Sequence, residues 1–168
     1  TFAANLEETQ PELFFAVPRI WAKFQEKILE GLSQKKLNII LNIPFLNSLF
    51  KKKLKIKLGL SNAKYIVSGA APLSVGIMKW YKKLDIEILQ LYGMTEDCAV
   101  SHGNLPERNK LGTVGKFTYG AHGKLSDTGE ICVKNNCLLV GYYKDPDETA
   151  AVFDAEGYLK TGDIGEYD

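Results

Sequence analysis

The stretch Lys64–Gly93, KYIVSGAAPLSVGIMKWYKKLDIEILQLYG, decides the fold. KYIVSG is short and rich in β-branched and aromatic residues, and it reads as a buried strand. Ser74 is placed to cap a helix carrying Ile77, Met78, Trp80, Tyr81 and Leu84 at helical spacing. Trp80 and Tyr81 read as core residues. DIEILQLYG is then a second strand. Strand, helix and strand within about 30 residues form a βαβ unit, which implies a parallel pair and a right-handed crossover. Binding sites in such sheets form beyond the C-terminal ends of the strands. The first strand ends at Ser68-Gly69-Ala70-Ala71 and the second at Tyr92-Gly93, so both ends fall on one edge of the sheet.

Upstream, Pro11 is predicted to open a helix over PELFFAVPRIWAKFQEKILEGL, with Pro18 interrupting it. From Ile20 onward, Trp21, Phe24, Ile28, Leu29 and Leu32 recur at helical spacing, and Gly31 lies near the end of the run. KKLNIILNIPFLNSLFKKKLKIKLGL follows, apolar with clustered lysines: Lys35 and Lys36, then Lys51, Lys52, Lys53, Lys55 and Lys57. Two readings fit it: a surface that meets anionic lipid, or a solvated helix face with Leu and Ile turned to the core. After Leu105 the texture changes to glycine-rich short strands. SDTGE and DAEG read as turns, EICVK and YLKTG as strands, and DPDETAAVF as a short helix with Pro146 in its first turn. A boundary near Pro106–Lys110 is expected. The expected class is α/β: a parallel-sheet lobe over residues 1–108, followed by a small β-rich lobe over 109–168.

Composition bounds the function. The 168 residues are 45% apolar and 24% charged, enough to bury a core, and the net charge of +1 provides no field for nucleic acid. Cys98, Cys132 and Cys137 lack metal-ligand spacing and fit free thiols in a reducing, cytoplasmic compartment. His102 and His122 are too scattered to point to a metal. No apolar run is long enough to span a bilayer. The chain begins at Thr1 and stops within a patterned segment, so it is expected to be a piece of a larger protein.

Three short elements carry candidate chemistry. In QLYGMTE, Tyr92 offers a ring on which a purine can stack. Gly93 would let the backbone approach a ligand. Thr95 offers a hydroxyl for a phosphate oxygen, and Glu96 a hard oxygen ligand suited to Mg²⁺. In SGAAPLS, small residues present bare backbone to a planar base. In YLKTGDIG, the Asp163 carboxylate matches the vicinal hydroxyls of ribose. Taken singly, each also reads as an ordinary turn.

Together and in order, SGAAPLS, QLYGMTE, GTVGK, GEICVKNNCLLVGYYKDPDET and YLKTGD resemble the successive motifs of the adenylate-forming superfamily. That superfamily comprises acyl-CoA synthetases, peptide-synthetase adenylation domains and luciferases. FFAVPRIWAKF and SGAAPLS look most like the long-chain fatty acyl-CoA synthetases, including the very-long-chain "bubblegum" type. The resemblance implies part of the large N-terminal domain of such an enzyme. It implies ATP/AMP, Mg²⁺ and coenzyme A as cofactors, with a fatty acid as substrate. Gly69, Ala70, Ala71 and Pro72 would line the adenine and Tyr92 would stack on it. Gln90, Leu91, Gly93 and Met94 would wall the junction between nucleotide and acyl group. Thr95 would bind phosphate and Glu96 the metal, as the catalytic pair, and Asp163 the ribose. Gly115 would lie near the acyl pocket, and Lys160 stands where many members have arginine.

The superfamily's phosphate loop and its hinge to a mobile C-terminal domain have no counterpart in these residues. The 168-residue chain alone is therefore expected to be inactive. Two other readings stay open: a ligase for another carboxylate such as an aryl acid, and a non-catalytic nucleotide-binding module. Peripheral membrane contact through Lys51–Lys57 is a further expectation.

Overall fold

A computed structural model describes residues 1–168. The elements in order are α1 (Phe2–Thr9), β1 (Leu13–Ala16), α2 (Pro18–Gly31), α3 (Gln34–Asn42), α4 (Pro44–Lys57), β2 (Tyr65–Ser68), α5 (Val75–Lys82) and β3 (Leu89–Tyr92). They are followed by β4 (His102–Gly103), β5 (Lys116–Phe117), β6 (His122–Leu125), β7 (Glu130–Lys134), α6 (Pro146–Ala151) and β8 (Leu159–Ile164). Two compact units result. The first holds Thr1–Gln90 with Pro106–Thr113, and the second holds Leu91–Leu105 with Val114–Asp168.

In the first unit β1 pairs parallel with β2, and β2 pairs parallel with the start of β3, in the register Val67↔Leu89 and Ser68↔Gln90. The βαβ unit thus forms where the apolar pattern places it. Ser74 caps α5 as expected, its hydroxyl accepting from the Gly76 N–H at 3.2 Å. The core gathers Phe14, Trp21, Leu37, Ile66, Tyr81, Leu84, Ile86 and Ile88. Its buried polar tips are satisfied. The Trp21 indole N–H donates to the Ala16 carbonyl at 3.1 Å, and the Tyr81 hydroxyl donates to the Trp21 carbonyl at 2.7 Å.

The helix expected from Pro11 is corrected. Residues 13–16 form a strand whose burial alternates, with Leu13 and Phe15 out and Phe14 and Ala16 in. Pro18 does not interrupt a helix but starts α2, where its missing N–H costs nothing, and Val17 before it is extended. Pro44 likewise starts α4, dividing the lysine-rich stretch into two helices. No helix is long and apolar enough to cross a membrane.

In the second unit the end of β3 turns to antiparallel pairing, Leu91↔Gly103 and Tyr92↔His102, and β4 pairs antiparallel with β5. A separate antiparallel sheet runs β6-β7-β8. The turns read from the sequence are present: Ser126–Glu130 closes through Ser126 N–H to the Glu130 carbonyl, and Asp154–Gly157 through Gly157 N–H to the Asp154 carbonyl. Helix α6 has Pro146 in its first turn, and Asp145, not singled out by the sequence, caps it through the Glu148 N–H. All three cysteines are free.

The compact units do not part at residues 108–109. Pairing of β4 with β5 draws residues 91–105 into the second unit. The turn at Pro106–Arg108 then returns the chain to the first, where the Asn109 amide donates to the Glu87 carboxylate at 3.1 Å and to the Ile88 carbonyl at 3.4 Å.

Candidate active site

In the first unit the loop after β2 carries Gly69, Ala70, Ala71 and Pro72. Ala70 has φ +64°, a left-handed conformation that is uncommon for a residue with a Cβ. Such strain concentrates where surrounding structure holds a functional backbone in place. Ala70, Ala71 and Pro72 are exposed, whereas Gly69 is buried. At the same C-terminal strand ends, Ser68 and Gln90 are register partners and both buried. The Ser68 hydroxyl and the Gln90 Oε1 have no hydrogen-bond partner, an uncommon state for buried polar atoms. Gln90 was among the expected site residues. Ser68 was not, although a hydroxyl ending an apolar strand was a readable signal.

In the second unit, Tyr92 and Asp163 meet across 71 residues of sequence. The Tyr92 hydroxyl donates to Asp163 Oδ2 at 2.6 Å. Burial, then the bond to the Asp163 carboxylate, raises the phenol pKa far above its usual value, so it remains a donor. Asp163 itself is exposed on β8, following Gly162 at φ +76°. Edge-on to Tyr92 lies the His102 ring, at a centroid distance of 5.6 Å, and His102 in turn lies 4.1 Å from Phe117. Burial lowers the His102 pKa while Asp97 pulls it back up. Its Nδ1 is buried without a partner. Sequence spacing marks His102 only as too scattered for a metal; its packing against Tyr92 depends on the β3–β4 pairing, which spacing does not reveal.

Beyond β3, Thr95–Asp97 form a single 3₁₀ turn. Asp97 is fully buried, and its Oδ1 accepts from the N–H groups of Met94 at 2.8 Å and Ala99 at 2.9 Å. Cys98 and Ala99 both have φ +57°. This pinned turn presents Thr95 outward and leaves Glu96 half-buried. The Glu96 carbonyl accepts from Leu139 N–H at 2.7 Å, and its Oε1 accepts from the Tyr142 hydroxyl at 2.9 Å. The Glu96 carboxylate raises the Tyr142 pKa. Tyr142 lies within the GYYK run of a recognised motif but was given no role from sequence.

Two glycines have close neighbours of their own. A Cβ on Gly93 would stand 2.5 Å from the Ala99 backbone and 2.9 Å from Asp97 Oδ1, so the close packing of its own turn requires a glycine there. Gly115 (φ +81°) would place a Cβ 2.3 Å from the Gly103 backbone, so it seats the chain against β4. Leu91 also packs on Gly103, since a Cβ there would meet its Cδ2 at 2.7 Å. Met94 is half-buried, and Lys160 lies on β8, its N–H bound to the Val152 carbonyl.

No group of three or more His, Cys, Asp or Glu side chains forms a ready metal cage. Glu96 instead offers one oriented hard-oxygen ligand. That donor set fits Mg²⁺, which keeps several waters and commonly shares one or two carboxylates with substrate phosphates.

A mixed α/β architecture with a parallel-stranded sheet is that of the N-terminal domain of adenylate-forming enzymes. A family model described as AMP-binding enzyme matches residues 1–143, and the chain belongs to that family. It is similar to the long-chain-fatty-acid–CoA ligase ACSBG2 of Rattus norvegicus, at 30% identity over 100% of this chain and 30% of that one. It is also similar to long chain acyl-CoA synthetase 5 of Arabidopsis thaliana, at 33% identity over 97% and 30%. The chain thus spans 30% of the length of these curated relatives. Among solved structures, the N-terminal domain of FACL13 from Mycobacterium tuberculosis superposes with TM-score 0.69 at 26% identity, covering 99% of this chain and 39% of that one. ATP-bound MatB from Rhodopseudomonas palustris shares the fold, with TM-score 0.71 at 22% identity over 99% and 31%.

Proposed function

We propose that this chain contributes the nucleotide-binding edge of an ATP-dependent acyl-CoA synthetase that acts on long-chain fatty acids. The observation that carries the reading is the Tyr92–Asp163 hydrogen bond. It ties a ring suited to stacking on adenine to a carboxylate suited to ribose hydroxyls, so base and sugar are read by one rigid pair. The names of the similar ligases favour a fatty acid and coenzyme A as the other substrates.

In the reaction proposed, a fatty-acid carboxylate oxygen bonds to the α-phosphorus of ATP as the bond to the pyrophosphate oxygen breaks. The thiolate of coenzyme A then adds to the acyl carbonyl, and AMP leaves with the electron pair of the broken C–O bond. The first step brings an anion to a polyanion, so positioning and charge compensation dominate. The Thr95 hydroxyl donates to a phosphate oxygen. Glu96, oriented by the Tyr142 hydroxyl, would hold Mg²⁺, which would supply charge compensation for the phosphates. In the first unit, Ala70 and Ala71 present an exposed backbone surface without bulk, suited to a planar group. Gln90 and Met94 border the acyl end.

Acid-dependent pyrophosphate release by the intact protein, across fatty acids of graded length and several aryl acids, tests the reading. Release that peaks with long chains supports it. No release with any acid from folded protein overturns it. In the same assay Tyr142→Phe is expected to raise the Mg²⁺ concentration needed for half-maximal rate by about tenfold or more, as loss of a ligand-orienting partner does. An unchanged Mg²⁺ dependence would remove Tyr142 from the site.

A further inference from the structure

Between Gly31 and Leu84 the chain contains eleven lysines and no aspartate, glutamate or arginine, although the whole chain carries only +1. This asymmetry centres on α4. Helix α4 spans fourteen residues and buries none of them completely. Its inner side rests on the core through Phe50, Leu54 and Leu58, at four-residue spacing. Its outer side is not the polar face an ordinary surface helix presents. Phe45 is 79% exposed, Leu49 and Ile56 are also exposed, and these three fall on one stripe opposite the core. Lys52 interrupts that stripe, and Lys53 and Lys57 border it.

The lysines differ from one another. Lys51 turns inward, its side chain 16% exposed and paired with Asp85 at 3.0 Å. Lys52, Lys53, Lys55 and Lys57 form no ion pair. A cleft of about 660 Å³ beside the stripe takes Lys52 and Lys55 into its wall, together with Ser48, Ser61 and the Lys51–Asp85 pair, whose charges cancel, so the two unpaired lysines leave its wall net positive. Exposed aromatic and aliphatic side chains flanked by unpaired lysines are the chemistry of a helix lying in a lipid interface. Unpaired lysines within an apolar stripe call for an anionic occupant, and an anionic bilayer surface supplies both that charge and an apolar boundary along the helix.

We propose that the outer face of α4 docks on an anionic lipid bilayer. Phe45, Leu49 and Ile56 enter the boundary between headgroups and acyl chains, and Lys52, Lys53 and Lys57 meet lipid phosphates. The cleft beside Lys52 and Lys55 seats a headgroup. The inference rests on the first unit alone and does not depend on the catalytic reading.

The test is co-sedimentation of the intact protein with phosphatidylcholine vesicles, with and without phosphatidylserine. Binding is expected only when phosphatidylserine is present, and is expected to weaken as salt rises. Lys52→Glu with Lys53→Glu should lower the affinity about tenfold or more, since each basic residue near an anionic surface contributes roughly a factor of five. Phe45→Ser with Leu49→Ser should lower it comparably while leaving thermal stability and pyrophosphate release unchanged. Vesicle binding indifferent to both variants overturns the proposal. So does a fall in melting temperature, or a change of oligomeric state, in the Phe45→Ser, Leu49→Ser protein, because either shows that protein covers this face.

Discussion

Replacing Asp163 by alanine is expected to lower kcat/KM for acid-dependent pyrophosphate release by roughly 10²–10³-fold. The substitution removes an anionic acceptor that two ribose hydroxyls can share, and a hydrogen bond to a charged group contributes about 1.5–3 kcal/mol. It also leaves the half-buried Tyr92 hydroxyl without the carboxylate to which it donates at 2.6 Å. Two such interactions reach the expected range at about 1.4 kcal/mol per decade. The folded state should lose only what that one hydrogen bond contributes, about 1 kcal/mol, since Asp163 itself is exposed. Asp163→Asn retains an acceptor without the charge and should lose about tenfold. Equal rates for the alanine variant and the parent, each at subsaturating ATP, would separate Asp163 from nucleotide binding.

The second large effect is expected from Gly93→Ala. The added Cβ meets the Ala99 backbone at 2.5 Å, and backbone cannot swing aside as a flexible side chain can. Cys98 and Ala99 already occupy left-handed conformations, and the Asp97 carboxylate fixes the turn through Met94 and Ala99. Relief therefore requires the whole turn to shift, taking Thr95 and Glu96 with it. Overpacking of this kind costs about 1–3 kcal/mol. An ångström of displacement at reacting groups costs about 10² in rate. Thermal unfolding and pyrophosphate release should fall together. A variant that kept both its melting temperature and its rate would show that the turn yields more easily than its contacts imply.

Some of this architecture was legible in the sequence. The βαβ unit was read from apolar runs of the right length. The cap at Ser74, the proline in the first turn of α6 and the turn at Ser126–Glu130 rest on residues whose local chemistry decides the backbone. Strand β1 was hidden because LFFA precedes a helix and offers only four residues of alternation, too few to outweigh the helical pattern beyond Pro18. The two tyrosine–carboxylate bonds were not legible from spacing at all. They join residues 71 and 46 positions apart, and only the folded sheets bring them together. Ordered motifs pointed to Tyr92, Glu96 and Asp163 through resemblance. Nothing local pointed to Tyr142 as the partner of Glu96, or to Asp97 as the residue that pins the turn.

The interleaving of the two units has a consequence for synthesis on the ribosome. Residues emerge from the N-terminus onward, and domains generally fold as units. The first unit lacks its Asn109 tie to Glu87 and Ile88 until residue 109 has emerged, and its last segment until residue 113 has. By then residues 91–105 have already been extruded, yet their antiparallel partner at Lys116–Phe117 has not. The nascent chain can therefore pair Leu91–Tyr92 with His102–Gly103 at once, but must hold the outer edge of β4 unpaired until Lys116–Phe117 emerges. Ribosome-stalled chains that have released residue 105 but not Phe117 would leave the β4 edge open to protease, and chains that have released Phe117 would protect it.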